Sequence, residues 1–271
     1  VSALVATAAI ARSVFRESVR DKVLYNLVAF AILLIGASYL IGQLTAGQDV
    51  KIIKDLGLSA TSIFGVFIAV FIGIGLVSKE VDRRSIYSLL SKPIERYQLV
   101  LGKYVGLVLT LAVNVAIMAL ALYAVLAYMS WGVSAAVQKA WDAPGLDPAM
   151  LEAIGLILVE LMLVTAIALF FSTFSTPILS AAFTFGFYLV GHFSSDLRNF
   201  QDVVDAPAAA RLARGLYWVL PNLAQFDIKS DVVHGRVVPV GYLGLSIGYA
   251  AIYITMLLVI SSLIFSRRDF K

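Results

Sequence analysis

Six long apolar stretches separated by polar connections dictate what this chain can fold into. They run over residues 23–44, 58–77, 105–128, 150–171, 177–193 and 242–265. A helix of about 20 apolar residues crosses a hydrocarbon core about 30 Å thick, and it satisfies its own backbone hydrogen bonds there. A water-soluble fold would have to bury a chain that is 61% hydrophobic and only 14% charged. Soluble domains carry roughly 25% charge. The expectation is an all-α polytopic membrane protein with six transmembrane helices, forming one transmembrane domain over residues 1–271. Pro177 opens the short fifth stretch at a helix's first turn, where its missing N–H costs nothing.

Charge placement sets the expected orientation. With both termini inside, thirteen Lys/Arg fall on the inner side and eight on the outer, five of the eight in the long loop 194–241. Trp131, Trp141 and Trp218 all fall on the outer side, where an interfacial aromatic belt would sit. The apolar start Val1–Ala11 precedes the basic residues, the reverse of a secretory signal. Within residues 1–22, Ala8, Ala11, Val14, Phe15 and Val19 share one helical face. Arg12, Arg16, Arg20, Ser13, Glu17 and Asp21 share the other. This pattern fits an interfacial amphipathic helix whose arginines reach anionic headgroups, or else an extension of the first span. In the loop 194–241, Pro207 and Pro221 bracket a helical segment, Ala208–Leu220, that would lie at the outer interface or dip into it. Asp227–Arg236 reads as an exposed polar turn.

Several chemistries lack their residues. There is no cysteine, hence no disulfide, thiolate zinc site or iron–sulfur cluster. No H-E-x-x-H and no G-x-x-x-x-G-K-[ST] occurs; Gly102-Lys103 is followed by Tyr104 and lacks the upstream glycine. The expectation is therefore a non-enzymatic chain with no cofactor or metal of its own.

The loop 78–104 is the most densely charged interval, holding six Lys/Arg and three Asp/Glu between two apolar spans. Ile86, Leu89 and Leu90 stand at i, i+3 and i+4, an apolar edge on a short helix. Pro93 then disfavours helix at Lys92 and forces a bend. Composition alone leaves two readings open: a docking surface for another protein, or an ordinary positive-inside loop.

The sequence KEVDRRSIYSLLSKPIERYQLVLGKYVG resembles the loop after the second span in permeases of ATP-binding cassette (ABC) transporters of the type 2 exporter family. The matching positions are Glu80, Leu89-Leu90-Ser91-Lys92-Pro93, Arg96 and Leu101-Gly102-Lys103. Further likeness lies in Phe171-Ser172-Thr173-Phe174-Ser175, Leu220-Pro221-Asn222 and the basic end Ser266-Arg267-Arg268-Asp269-Phe270. The resemblance implies a permease subunit in a bacterial or archaeal cytoplasmic (inner) membrane, both termini cytoplasmic. It would pair with a second permease, identical or homologous, and with two ABC ATPase subunits that bind the ATP and Mg. It implies no nucleic acid partner. The segment 78–104 would be a cytoplasmic coupling loop whose coupling helix docks on the ATPase through Glu80, Arg84, Ile86, Leu89, Leu90, Pro93 and Arg96, braced by the N-terminal helix. A secondary carrier, a channel, or a membrane anchor for an assembly are the alternatives. A carrier would be expected to show more ionisable intramembrane groups or inverted repeats.

Glu160 carries the one charge near the middle of a span. A charged carboxyl there costs about 2.5–3.5 kcal/mol on insertion scales, so it is expected to be neutral, paired or facing a polar cavity. Asn114, midway along the third span, is a candidate partner. Two roles stay open for this pair of residues: a transport path, or an interhelical polar contact. His192 closes the fifth span beside Gly191 and Ser194 and fits a polar cluster, since with His234 as the other histidine no multi-histidine metal site is supported. Gly102/Gly106 and Gly244/Gly248 have the spacing that permits close helix approach, within a subunit or across a dimer.

Overall fold

The structure of the chain, a computed structural model, describes residues 3–44, 49–82, 95–139, 141, 143–193, 215 and 220–267, with side chains set aside at 75–82, 96 and 267. Among these residues the architecture is all-α, without strands. In order come α1 (Ala3–Ser18), α2 (Lys22–Gln43), α3 (Asp49–Asp82), α4 (Arg96–Gly132), α5 (Ala149–Ser172), α6 (Pro177–His192), the short α7 (Lys229–Val233) and α8 (Val240–Arg267). Five of them, α2, α3, α4, α5 and α8, are long and apolar enough to cross a membrane, while α6 is apolar but has 16 residues. The protein is a multi-pass membrane protein.

Successive helices reverse direction, so the bundle has two ends. The near end holds α1, the end of α3, the start of α4 and the α5–α6 turn; the far end holds the other connections. Burial ranks the helices. In their most apolar windows α3 and α5 are 72% buried, whereas α2 and α8 are 28% buried and flank the bundle. An aromatic cluster secures the α5–α6 turn: the Phe171 ring stands 5.2 Å from Phe183 and 5.0 Å from Phe187, distances at which tilted and edge-on rings attract.

α3 and α4 exceed what crossing requires. Their 34 and 37 residues give lengths of about 51 and 56 Å, about 20 Å or more beyond a hydrocarbon core of about 30 Å. The surplus carries Lys79, Glu80 and Asp82 on α3 and Arg96 on α4, so both helices run out of the apolar layer toward the segment 83–94 that joins them.

Small residues let these helices approach closely. On α3, added β-carbons at Gly57 and Gly65 would strike Leu122 of α4 and Leu161 of α5. One at Gly73 would lie 2.7 Å from the Ala168 β-carbon. The first turns of α4 receive α1 in the same way. A β-carbon at Gly102 would come within 2.7 Å of Ile10, and one at Gly106 within 2.6 Å of the Ala11 carbonyl oxygen. Of the two glycine pairs read from the sequence, Gly102/Gly106 therefore serves a contact within the subunit. Gly244 and Gly248 meet nothing within 4 Å.

α1 is a separate helix and not an extension of the first span. Its last turns close at Asp21, whose carboxylate accepts from the Val23 N–H at 3.0 Å and caps α2. Ala11, Val14 and Ser18 are buried against α4, while Arg12, Arg16 and Arg20 are exposed. The apolar face is narrower than its sequence suggested: Ala8 is exposed, and Phe15 and Val19 are half-buried.

The segment after residue 220 also departs from expectation. Asp227–Arg236 is no free polar turn, because Val232 and Val233 are buried and α7 packs on α3 and α5. Leu223 donates its N–H to the Gly191 carbonyl at 3.0 Å, and Phe226 is fully buried. Two tyrosines of α8 hold the segment from the other side. The Tyr249 hydroxyl accepts from the Asn222 N–H at 2.9 Å, and the Tyr242 hydroxyl donates to the Gln225 carbonyl at 2.6 Å. The helix expected over Ala208–Leu220 lies, apart from Gly215 and Leu220, outside the described residues.

Candidate functional site

Most of the expected docking residues, Arg84, Ile86, Leu89, Leu90 and Pro93, lie outside the described residues. Glu80 sits in the last turns of α3 and Arg96 opens α4, so the described backbone brings the two flanks of the loop to the same end of the bundle.

The buried polar chemistry gathers elsewhere, at the far end of α6. At every fourth position this helix carries Ser180, Thr184, Tyr188 and His192. Ser180 and Thr184 are fully buried, whereas Ile178, Leu179, Phe183 and Leu189 are exposed. The polar stripe thus turns inward and the greasy face outward. Because α6 is only about 24 Å long, its last turn ends about level with the middle of α5. There His192 meets Glu160, with Nε2 3.4 Å from Oε1. The His192 Nδ1 lies 3.3 Å from the Tyr188 carbonyl oxygen, and the two rings stand 4.6 Å apart.

The Glu160 carboxyl is 1% exposed and the His192 side chain 23%. Their 3.4 Å separation is longer than an ordinary hydrogen bond, and Oε1 is left buried with no hydrogen-bond partner. Above them the Lys229 ammonium pairs with Asp227 at 3.3 Å, and both lie within electrostatic range of Glu160. Ser62 of α3 stands within hydrogen-bonding reach of the Tyr188 hydroxyl. Asn114 is not the partner of Glu160. Its amide donates to the Thr110 carbonyl one turn back on α4 at 2.7 Å, and the Thr110 hydroxyl in turn donates to the Gly106 carbonyl.

A buried lysine went unread in the sequence. Lys54, placed there in an outer loop, lies on α3 and is fully buried. Its ammonium donates to the Pro144 carbonyl at 2.8 Å and stands 3.6 Å from the Asp147 carboxylate. That carboxylate accepts from the Ala149 N–H at the start of α5, and the Tyr123 hydroxyl donates to the Asp147 carbonyl at 2.9 Å. A signal was present: Val50, Ile53, Lys54, Gly57 and Leu58 fall on one helical face, so this lysine shares a core-facing stripe.

One sequence pattern also needs its context. Gly244-Leu245-Ser246-Ile247-Gly248 spells Gly-x-Ser-x-Gly, so a reading of the sequence as lacking this pattern is wrong. A nucleophile elbow requires a strand-to-helix turn, and here the pattern lies inside α8, so it holds no activated serine. Among the described residues no cluster of three or more His, Asp or Glu could hold a metal ion.

An all-α bundle of membrane-length helices with a polar site buried inside defines a multi-pass membrane protein. Residues 8–200, well over half of the chain, match the family described as "ABC-2 family transporter protein". The chain belongs to that family, and so is a transporter membrane protein of the permease type. A comparison with curated proteins gives no match.

Proposed function

We propose that the chain is the permease subunit of an ATP-driven exporter in a bacterial or archaeal cytoplasmic membrane, with the near end of the bundle and both termini in the cytoplasm. The observation that carries this reading is the family match joined to the form of α3 and α4. Both helices continue beyond the apolar layer and lead into the charged segment 83–94, as a protein that offers this loop to a partner would need. ATP and Mg would be bound by two separate ABC ATPase subunits, since the chain has no phosphate-cradling loop of its own. A second permease subunit would complete the path.

In this reading the ATPase docks through Glu80, Arg84, Ile86, Leu89, Leu90, Pro93 and Arg96. Closure of the ATPases pushes on that loop, and the push passes into α3 and α4 because neither is broken at the membrane boundary. α1 shares the motion, since Ile10, the Ala11 carbonyl and Val14 close directly on the α4 glycines. Movement of α3 and α6 in two facing subunits then opens and closes the path. The exposed Arg12, Arg16 and Arg20 hold α1 at the anionic headgroup layer.

The test is the double substitution Leu89→Glu and Leu90→Glu in the full chain, expressed together with its ATPase. The expected result is loss of ATPase co-purification and transport, with the permease still extracted from the membrane fraction. Unchanged co-purification would overturn the docking assignment.

A further inference from the structure

We propose that Glu160 and His192 form a proton-binding pair that exchanges its proton with the aqueous phase at the far end of the bundle. This goes beyond the ATPase-docking reading and does not rest on it. The geometry argues as follows. The Tyr188 carbonyl faces Nδ1 of His192 and can only accept, so Nδ1 carries a hydrogen and donates. Nε2 then faces Oε1 of Glu160 at 3.4 Å. With a neutral imidazole and an ionised carboxyl, two lone pairs would confront each other inside the bundle. One proton relieves this, either on Nε2 as imidazolium against carboxylate, or on Oε1 as neutral acid against neutral imidazole. Oε1 is buried with no hydrogen-bond partner, so it has the capacity to accept that proton.

The route is as asymmetric as the burial. Glu160 is 1% exposed while the His192 side chain is 23% exposed, so the imidazole is the more accessible of the two groups. A proton delivered by water to Nε2 passes to Oε1; one N–H bond breaks, one O–H bond forms, and nothing else changes. Toward the near end the two threonine hydroxyls are committed within their own helices, and the Ser180 hydroxyl is buried with no hydrogen-bond partner. The Thr184 hydroxyl donates to the Ser180 carbonyl at 2.6 Å, and the Thr165 hydroxyl to the Leu161 carbonyl at 2.8 Å, each within its own helix. The arrangement is therefore a site open to one side and not a conducting wire.

Other groups bear on the pair from each packed element. Tyr188 lies on α6 with His192, and the segment above contributes Asp227 and Lys229, themselves paired at 3.3 Å. From α3 the near group is Ser62, which is uncharged. The site also joins separate elements. Glu160 belongs to central α5, His192 ends α6, and the Leu223 N–H continues α6 into the segment that covers the site. Uptake or loss of the proton changes the attraction between α5 and the end of α6, which couples the packing of these two helices to the pH at the far end.

The experiment is infrared difference spectroscopy of the full-length chain in lipid nanodiscs, titrated from about pH 5 to about pH 9. A protonated carboxyl band that bleaches as pH rises is expected, and E160Q should lack it. In H192Q a side-chain N–H replaces the Nε2 lone pair that faces the carboxylate, so the titration midpoint should move down by about one pH unit, a tenfold loss of proton affinity. D227N removes a nearby negative charge and should move the midpoint down, which keeps the test decisive where H192Q does not fold. A spectrum of E160Q identical to that of the parent, or a midpoint unmoved by both H192Q and D227N, would overturn the proposal.

Discussion

Lys54 and Glu160 are both buried ionisable side chains in the two most buried helices of the bundle, yet their surroundings differ in kind. Lys54 has a carbonyl at 2.8 Å and a carboxylate at 3.6 Å, and the carboxylate is fixed in turn by the first N–H of α5. Glu160 faces an imidazole at 3.4 Å and keeps an oxygen without a hydrogen bond. A buried charge with its partners fully arranged belongs to the architecture, because moving any one of them strands the others. A buried carboxyl left under-bonded has free capacity, and in a low-dielectric setting such capacity is costly unless something uses it. The first site locks the far connection, residues 143–148, onto α3. The second is where the bundle keeps a choice between two proton positions.

The sharpest way to break this comparison is to remove the Lys54 charge. Lys54→Met keeps the length of the stem and deletes the ammonium, leaving the Pro144 carbonyl and the Asp147 carboxylate without their donor. Removing one partner of a buried pair costs about 3 kcal/mol or more. Equilibrium unfolding in mixed micelles should show that loss, together with looser attachment of residues 143–148. A variant as stable as the parent would mean that Lys54 is no lock.

A smaller effect is expected where the lock is made of shape alone. Gly106→Leu forces side-chain atoms against the Ala11 carbonyl and Val14, and overpacking of this sort costs about 1–3 kcal/mol. The same substitution at Gly248 meets open space and should cost nothing comparable. Trypsin cleavage at Arg12, Arg16 and Arg20 reads the difference directly, because α1 released from α4 becomes a better substrate. Equal cleavage in the two variants would deny that these glycines seat α1.

These two sites also show where sequence is informative. The helical bundle was legible because membrane crossing imposes a length and a composition that few residues can violate. The α5–α6 turn was legible because Pro177 cannot continue a helix interior and suits the first turn of the next helix. Lys54 was misread because a lysine near an apolar span ordinarily marks the boundary, and only the side of the helix it occupies shows otherwise. Glu160 stood out by its cost, but its partner did not, since Asn114 and His192 are both candidates until the depth of each helix is known. The length of α6 decides the matter: 16 residues carry His192 only as far as Glu160, and no farther. Cover by the segment after residue 220 depends on contacts distant in sequence, such as Leu223 with Gly191 and Asn222 with Tyr249, for which no local pattern exists.

The smallest effect on stability is expected at the site that looks most anomalous. Glu160→Gln keeps the shape of the side chain and keeps an N–H available toward His192, as the protonated acid keeps an O–H. It removes only the option of ionising. If the carboxyl is held for its proton and not for its bonding, the unfolding free energy of the variant should stay within about 1 kcal/mol of the parent, the worth of a single hydrogen bond. Measured beside Lys54→Met under the same micelle conditions, the two substitutions should separate clearly. A loss at Glu160 as large as that at Lys54 would mean that the carboxylate is a structural counter-charge for the Lys229–Asp227 pair and His192. A near-neutral result leaves Glu160 as a buried acid that the fold can do without, with one buried oxygen free to take a proton.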